Sequence, residues 1–162
     1  GRNRWGQSAL LARRLAEAGT GVITMFMNTP FTGQEWTNWD DHIMNAGRPG
    51  HFGKFMSLRL PYLDQCISAL VRDIHNRDAA DKIMLVVMGE FGRTPRLSEN
   101  AQGTGRNHWP QAYSVLLAGG GLKTCQGIGA TNITEAGTGS LFSGSAWRWR
   151  SQCNRMVSFG AY

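Results

Sequence analysis

Residues 83–95, IMLVVMGEFGRTP, open as a run of apolar side chains and then break into Gly-Glu-Phe-Gly-Arg-Thr-Pro. A short apolar run bounded by glycine reads as a strand buried on both faces, the kind found in α/β sheets. Such a strand holds Glu90 rigidly at a sheet edge, while Gly89 and Gly92 permit sharp turns and close approach of a ligand. Arg93 offers a planar fork of donors suited to phosphate, sulfate or carboxylate. An internal Glu90–Arg93 ion pair that closes the turn accounts for the same residues equally well.

Working outward, QSALLARRLAEAG (residues 7–19) has helical spacing, with Leu10, Leu11, Leu15 and Ala18 on one face, Ser8 as its cap and Gly19 at its end. GVITMFM (21–27) follows as a short apolar strand. The segment from Asn28 to Gly53 has no period and is long for a loop inside a compact domain, which marks it as functional or disordered. FMSLRLPYLDQCISALVRDIHNR (55–77) is a second helix through Leu63, Cys66, Ile67, Leu70, Val71 and Ile74, with Pro61 at its first turn or kinking it. Strand, helix, strand in this order is a βαβ unit, so the strands at 21–27 and 83–88 are expected to run parallel, with helices covering the sheet. YSVLLAGGG (113–121) is a third strand. No helix stands between Gly89 and Ala112 to carry a crossover, so this strand is expected to return antiparallel. The ends of the elements near Asn28, Gly89 and His108 then fall on one edge, where open α/β sheets bind ligands.

The bulk properties narrow the classes. The 162 residues suit one domain better than two. An apolar content of 41% with 17% charged residues argues against disorder. No apolar run approaches the roughly 20 residues of a membrane span. The net charge of +6 is scattered apart from Arg148, Arg150 and Arg155 near the end, so it does not build a nucleic-acid surface. Cys66, Cys125 and Cys153 contain no CxxC pair and specify neither a zinc site nor a disulfide framework. The chain starts at Gly1 without Met, as though upstream sequence were missing. From residue 140 onward no helical or strand period persists, which divides the chain into an α/β part over 1–139 and a poorly packed tail over 140–162.

Three clusters carry chemistry. In NWDDHIMN (38–45), Asp40 and His42 two residues apart in extended chain can ligate one metal, although solvated aspartates in turns are commoner. The second cluster is Glu90 with Arg93. In GTGRNHWPQAY (103–113), His108 can be a ligand, a general acid/base or a packed ring, and Arg106 and Asn107 accompany it. Asp40, His42, Glu90 and His108 together form a mixed oxygen and nitrogen set suited to Zn, Mn or Ca acting on an anionic ester, with Arg93 or Arg106 holding the anion.

GQSALLARRLAEAG, WDDH, LDQCISALVRDI, VVMGEFGRTP, GRNHWPQAYSVLLAGGG and IGAT, in this order, resemble the domain-of-unknown-function 1501 family. Its members are mostly bacterial, often exported proteins of the alkaline phosphatase and sulfatase superfamily. The resemblance implies an α/β three-layer sandwich of alkaline phosphatase-like type, with a mostly parallel sheet and helices on both faces, here incomplete. It also implies a divalent metal and hydrolysis of phosphate or sulfate esters, with Asp40, His42, Glu90 and His108 as metal ligands and Arg93 as an anion contact. Asp41 stands where the family's Trp-Asp-Thr-His motif has Thr. Asn107 stands where the family has Asp, which leaves it a possible but uncharged ligand. The superfamily's nucleophile lies in an N-terminal portion with no counterpart here, and Ser8 matches no nucleophile position. A fragment inactive alone is therefore expected, with a non-catalytic binding or structural domain as the alternative.

Overall fold

In the computed structural model of the chain, residues 2–33, 38–45, 47–111, 113–123 and 125–128 are described. They form an α/β arrangement of two helices and four small two-stranded sheets, in the order α1 (Arg4–Glu17), β1 (Met44–Asn45), β2 (Arg48–Pro49), α2 (Phe52–Asn76), β3 (Met84–Val87), β4 (Gly92–Arg93), β5 (Ser98–Asn100), β6 (Gly103–Gly105), β7 (His108–Trp109) and β8 (Leu116–Gly119). No helix of the described residues is long and apolar enough to cross a membrane.

Helix α1 starts earlier than its leucine pattern suggests. The Asn3 side chain accepts a hydrogen bond from the Gly6 amide at 2.9 Å and caps the first turn. Ser8 therefore lies inside the helix. Gly19, at φ +94°, ends it in the left-handed region that glycine adopts without strain. The buried face is Trp5 and Ala9, one helical turn apart, whereas Leu11 on the leucine stripe is 58% exposed. The reason is the partner. Helix α2 packs on the Trp5–Ala9 side, where Arg13 reaches Asp73 of α2 at 2.9 Å.

The longer α2 buries Phe55, Met56, Arg59, Cys66, Ile67 and Ile74, a stripe at helical spacing. Pro61 sits well inside the helix rather than at its first turn. There it removes the amide that would bond the Ser57 carbonyl. Trp5, Ala9 and Cys66 form the core, with Met25, Met27, Trp39, Tyr62, Leu63 and Leu70 packed around them. Trp5 stacks on Trp39 at 5.8 Å between centroids, which ties α1 to the loop carrying Asp40.

Strand β3 forms inside the quoted apolar run and pairs antiparallel with β8, Leu85 opposite Ala118 and Val87 opposite Leu116. The expected antiparallel return is present. The expected parallel neighbour is not: residues 21–27 are extended but lie in no assigned strand, and all four sheets pair antiparallel. Met25 and Met27 turn inward to the core, while Val22 and Phe26 on the other side are 87% and 89% exposed. The alternation of a strand is there, but no described neighbour pairs with it to make a ladder. A mostly parallel sheet and a three-layer sandwich are consequently not formed among the described residues. The expected tail over 140–162 lies outside the described residues.

Candidate metal centre

Three segments build the site. In the first, residues 38–43, the main chain is gripped from beneath by Arg59 of α2. Its guanidinium donates to the Asn38 carbonyl and to Asp41 Oδ2 and lies 4.7 Å from the Trp39 ring centroid. Arg59 is 0% and Asp41 1% exposed, so this is a buried ion pair. Burial pushes the Asp41 carboxyl above its ordinary range and the Arg59 guanidinium below its own, and each charge opposes the other's shift. Among the described residues Asp41 Oδ1 has no hydrogen-bond partner. Asp41 thus faces inward as an anchor, and Asp40 beside it is left exposed.

The second segment is the β4–β7 ribbon. Its register sets Arg93 directly opposite His108, on one face. The third is β6 and the residue after it. The Thr104 amide donates to the Gly50 carbonyl at 2.8 Å, and the Arg106 amide donates to the Asp41 carbonyl at 2.8 Å. A Cβ at Gly105 would stand 2.0 Å from the His42 carbonyl carbon, and one at Gly50 would stand 2.0 Å from the His42 carbonyl oxygen. Only glycine lets these backbones pass so closely, and their crossing fixes where His42 sits.

On this frame Asp40, His42 and His108 converge. Asp40 Oδ1 is 3.0 Å from His42 Nε2 and 2.9 Å from His108 Nε2, and the two imidazole nitrogens are 3.0 Å apart. Arg93 donates through Nη2 to Asp40 Oδ1 at 2.8 Å and to the Trp39 carbonyl at 2.9 Å, and through Nη1 to the Arg106 carbonyl at 3.3 Å. Its Nη1 lies 3.4 Å from His42 Nε2. The Phe91 ring packs on His108 at 4.3 Å between centroids. Partial burial works against ionisation of Asp40, but the hydrogen bonds from His108 and then Arg93, with the charges of His42 and Arg93, outweigh it and hold the carboxyl at about 2.

The family described as a protein of unknown function, DUF1501, matches residues 1–139. The chain belongs to the DUF1501 family. Neither the curated proteins nor the solved structures contain a match to it.

In this DUF1501 chain the three convergent atoms suit a divalent cation. Each residue offers one ligand atom, and all lie within 4.8 Å of one another. Their spacing is a few tenths of an ångström under the roughly 3.3 Å that tetrahedral bonds of about 2.0–2.1 Å produce. Two imidazoles and one carboxylate form a donor set used by hydrolytic zinc sites and by iron(II) facial triads. Calcium prefers six or more oxygens and fits this set less well.

The other expected site residues fall elsewhere. Glu90 is exposed on the bend after β3 and outside the group of three, and Arg93 turns to Asp40 rather than to Glu90. Asn107 Oδ1 stands 3.1 Å from His42 Nδ1, on the far edge of that ring, so it is placed behind His42 rather than among the donors. The Arg106 guanidinium lies 5.2 Å from the Phe52 ring centroid, and burial lowers its pKa. Sequence reasoning passed over Arg59 and took Asn107 as a possible ligand rather than as a partner of His42. Arg59 had a readable signal, a charge in the middle of the apolar stripe of α2. The role of Asn107 had none, because its partner is 65 residues away.

Proposed function

We propose that Asp40, His42 and His108 hold a divalent metal, zinc, manganese or iron(II), in a hydrolase of phosphate or sulfate esters. The convergence of three donor atoms from two distant segments carries this reading. The metal would polarise an ester oxygen and offset the charge that develops on it. Arg93, which bridges Asp40 to the Trp39 carbonyl, is the proposed contact for a substrate's anionic oxygens. The exposure of Asp40 and His108 leaves the donors open to a ligand from solvent.

The larger alkaline phosphatase-like sandwich belongs to the same proposal. Its support is the apolar surface that the two helices and β3–β8 leave uncovered: Leu10, Leu11 and Leu15 on α1, Val22 and Phe26 on the extended segment, and Val86 and Leu117 on the sheet. Export from the cytoplasm is proposed on the family resemblance alone.

Thermal unfolding of the full chain with added zinc, manganese, iron(II) or calcium tests the centre. Metal at a hundredfold its Kd stabilises by about 2.7 kcal/mol, a rise in midpoint of roughly 5–11 °C for a chain of this size. His42→Ala and His108→Ala are each expected to abolish that rise. Absence of any rise in the unsubstituted protein, or its persistence in His108→Ala, refutes the centre. Binding of inorganic phosphate or sulfate by the metal-loaded chain, weakened in Arg93→Ala, then tests the anion site, since turnover is not expected of this chain alone. A non-catalytic domain is the second reading, favoured by one observation: Arg93 already supplies a cation to Asp40. It expects neither metal-dependent anion binding nor a metal-dependent rise in midpoint.

A further inference from the structure

Resting on the metal reading of Asp40, His42 and His108, we propose that Asn107 is a positioning residue that sets the tautomer of His42 and so the strength of the centre. The two ring nitrogens of His42 face opposite ways: Nε2 toward Asp40 Oδ1 and His108 Nε2, and Nδ1 toward Asn107 Oδ1 at 3.1 Å. Asp40 Oδ1 competes for the ring proton at Nε2, but it already faces Arg93 Nη2 at 2.8 Å and His108 Nε2 at 2.9 Å. The amide oxygen of Asn107 has only Nδ1 before it among the described residues, so the ring proton is placed on Nδ1 and donated to Asn107. That leaves the lone pair on Nε2, the nitrogen that faces the other two donors.

Asn107 is well placed to enforce this. Its own amide donates to Thr94 Oγ1 at 3.2 Å, and its carbonyl accepts from the Thr94 amide at 3.0 Å. The next residue, His108, is tied into the ribbon opposite Arg93. One dipeptide thus supplies a donor and the group that aims another donor. On the other side, the His42 main chain is clamped by the glycine crossing at Gly50 and Gly105, so the ring turns mainly about its own side-chain bonds. The hydrogen bond to Asn107 resists that turning.

The chemistry of the partner then grades the ligand. A carboxylate behind a metal-bound imidazole pulls on the Nδ1 proton and makes Nε2 a stronger donor, whereas a neutral amide orients the ring with less electron donation. An asparagine here would orient the ring while leaving Nε2 a weaker donor than a carboxylate would. Replacing it with an apolar residue removes both orientation and donation.

Two measurements on the full chain test this. Nitrogen-15 NMR of the histidine rings in metal-free protein at about pH 8, where an ordinary imidazole is neutral, reads the His42 tautomer directly. The unsubstituted protein should show the Nδ1-protonated form, and Asn107→Leu should move the ring toward the tautomer mixture of a free imidazole. Zinc titration should show affinity roughly 10–100-fold lower in Asn107→Leu and about 10-fold higher in Asn107→Asp, the usual size of effects from such partners. An Nε2-protonated His42 in the unsubstituted protein, or the same tautomer in Asn107→Leu, overturns the proposal. So do zinc affinities within about twofold across the three proteins. Should the unsubstituted chain bind no zinc, the metal reading fails, and the NMR comparison alone decides what Asn107 does. Asn107→Asp also guards against misfolding, since a merely structural role would not raise affinity.

Discussion

Arg59→Met should be among the most damaging single changes in the chain, and the reason lies in what it leaves behind. The guanidinium is the hydrogen-bond partner of Asp41 Oδ2, and Oδ1 has none among the described residues. Methionine fills most of the volume but leaves a carboxylate, 1% exposed, without its charge partner. Removing one member of a buried ion pair costs about 3–5 kcal/mol. Spread over a chain of this size, that lowers the thermal midpoint by roughly 6–20 °C. The loss is mainly the penalty on Asp41 and only secondarily the lost contacts to Asn38 and Trp39. The double variant Arg59→Met/Asp41→Asn should therefore recover part of the loss, retaining only the smaller cost of a neutral unsatisfied amide, about 1–3 kcal/mol. Urea unfolding at pH 7 of the four proteins in the cycle measures this, provided the slopes stay equal. A cost below about 1 kcal/mol for Arg59→Met, or a double variant no more stable than the single one, refutes the reasoning.

Gly105→Ala pushes a methyl group into the His42 main chain, where no flexible side chain can yield. It should cost about 1–3 kcal/mol of stability, read by urea unfolding, and weaken zinc binding beyond that loss, since it displaces a donor. Asp40 in metal-free protein is held at about 2 against an ordinary 3.8, so the unfolded chain takes up its proton first as pH falls. Its stabilising contribution is complete above 3.8, is lost on acidification toward about 2, and should be missing from the acid unfolding curve of Asp40→Asn. Glu90→Gln changes an exposed residue outside the group of three donors and should leave zinc affinity within about twofold, measured by competition titration; a tenfold loss places Glu90 in the coordination shell.

How much of this was legible in the sequence varies by element, for physical reasons. Strand β3 and its antiparallel partner were readable, because an apolar run and a connection without a crossover helix leave few alternatives. Asp40, His42 and His108 were readable as chemistry-bearing residues, and the structure brings those three together while leaving Glu90 aside. Residues 21–27 show the alternation of a strand, yet a strand exists only when a neighbour's backbone pairs with it, and no local pattern reports the neighbour. The leucines of α1 form the stronger stripe, but α2 packs on Trp5 and Ala9, a choice made by the partner's shape. Arg59 interrupts an apolar face in plain view. What it grips, the 38–41 turn, depends on how the loop folds back over α2.

Met84 at the start of β3 and Met88 just past its end, 54% and 57% exposed, stand on either side of Val86. Peroxide would reach these thioethers without unfolding the chain and convert them to sulfoxides, turning a greasy surface into a wettable one. Mild oxidation should therefore change how readily the purified protein clumps while leaving the Trp5 core intact. The two sulfur atoms make that surface a record of the redox history of any sample.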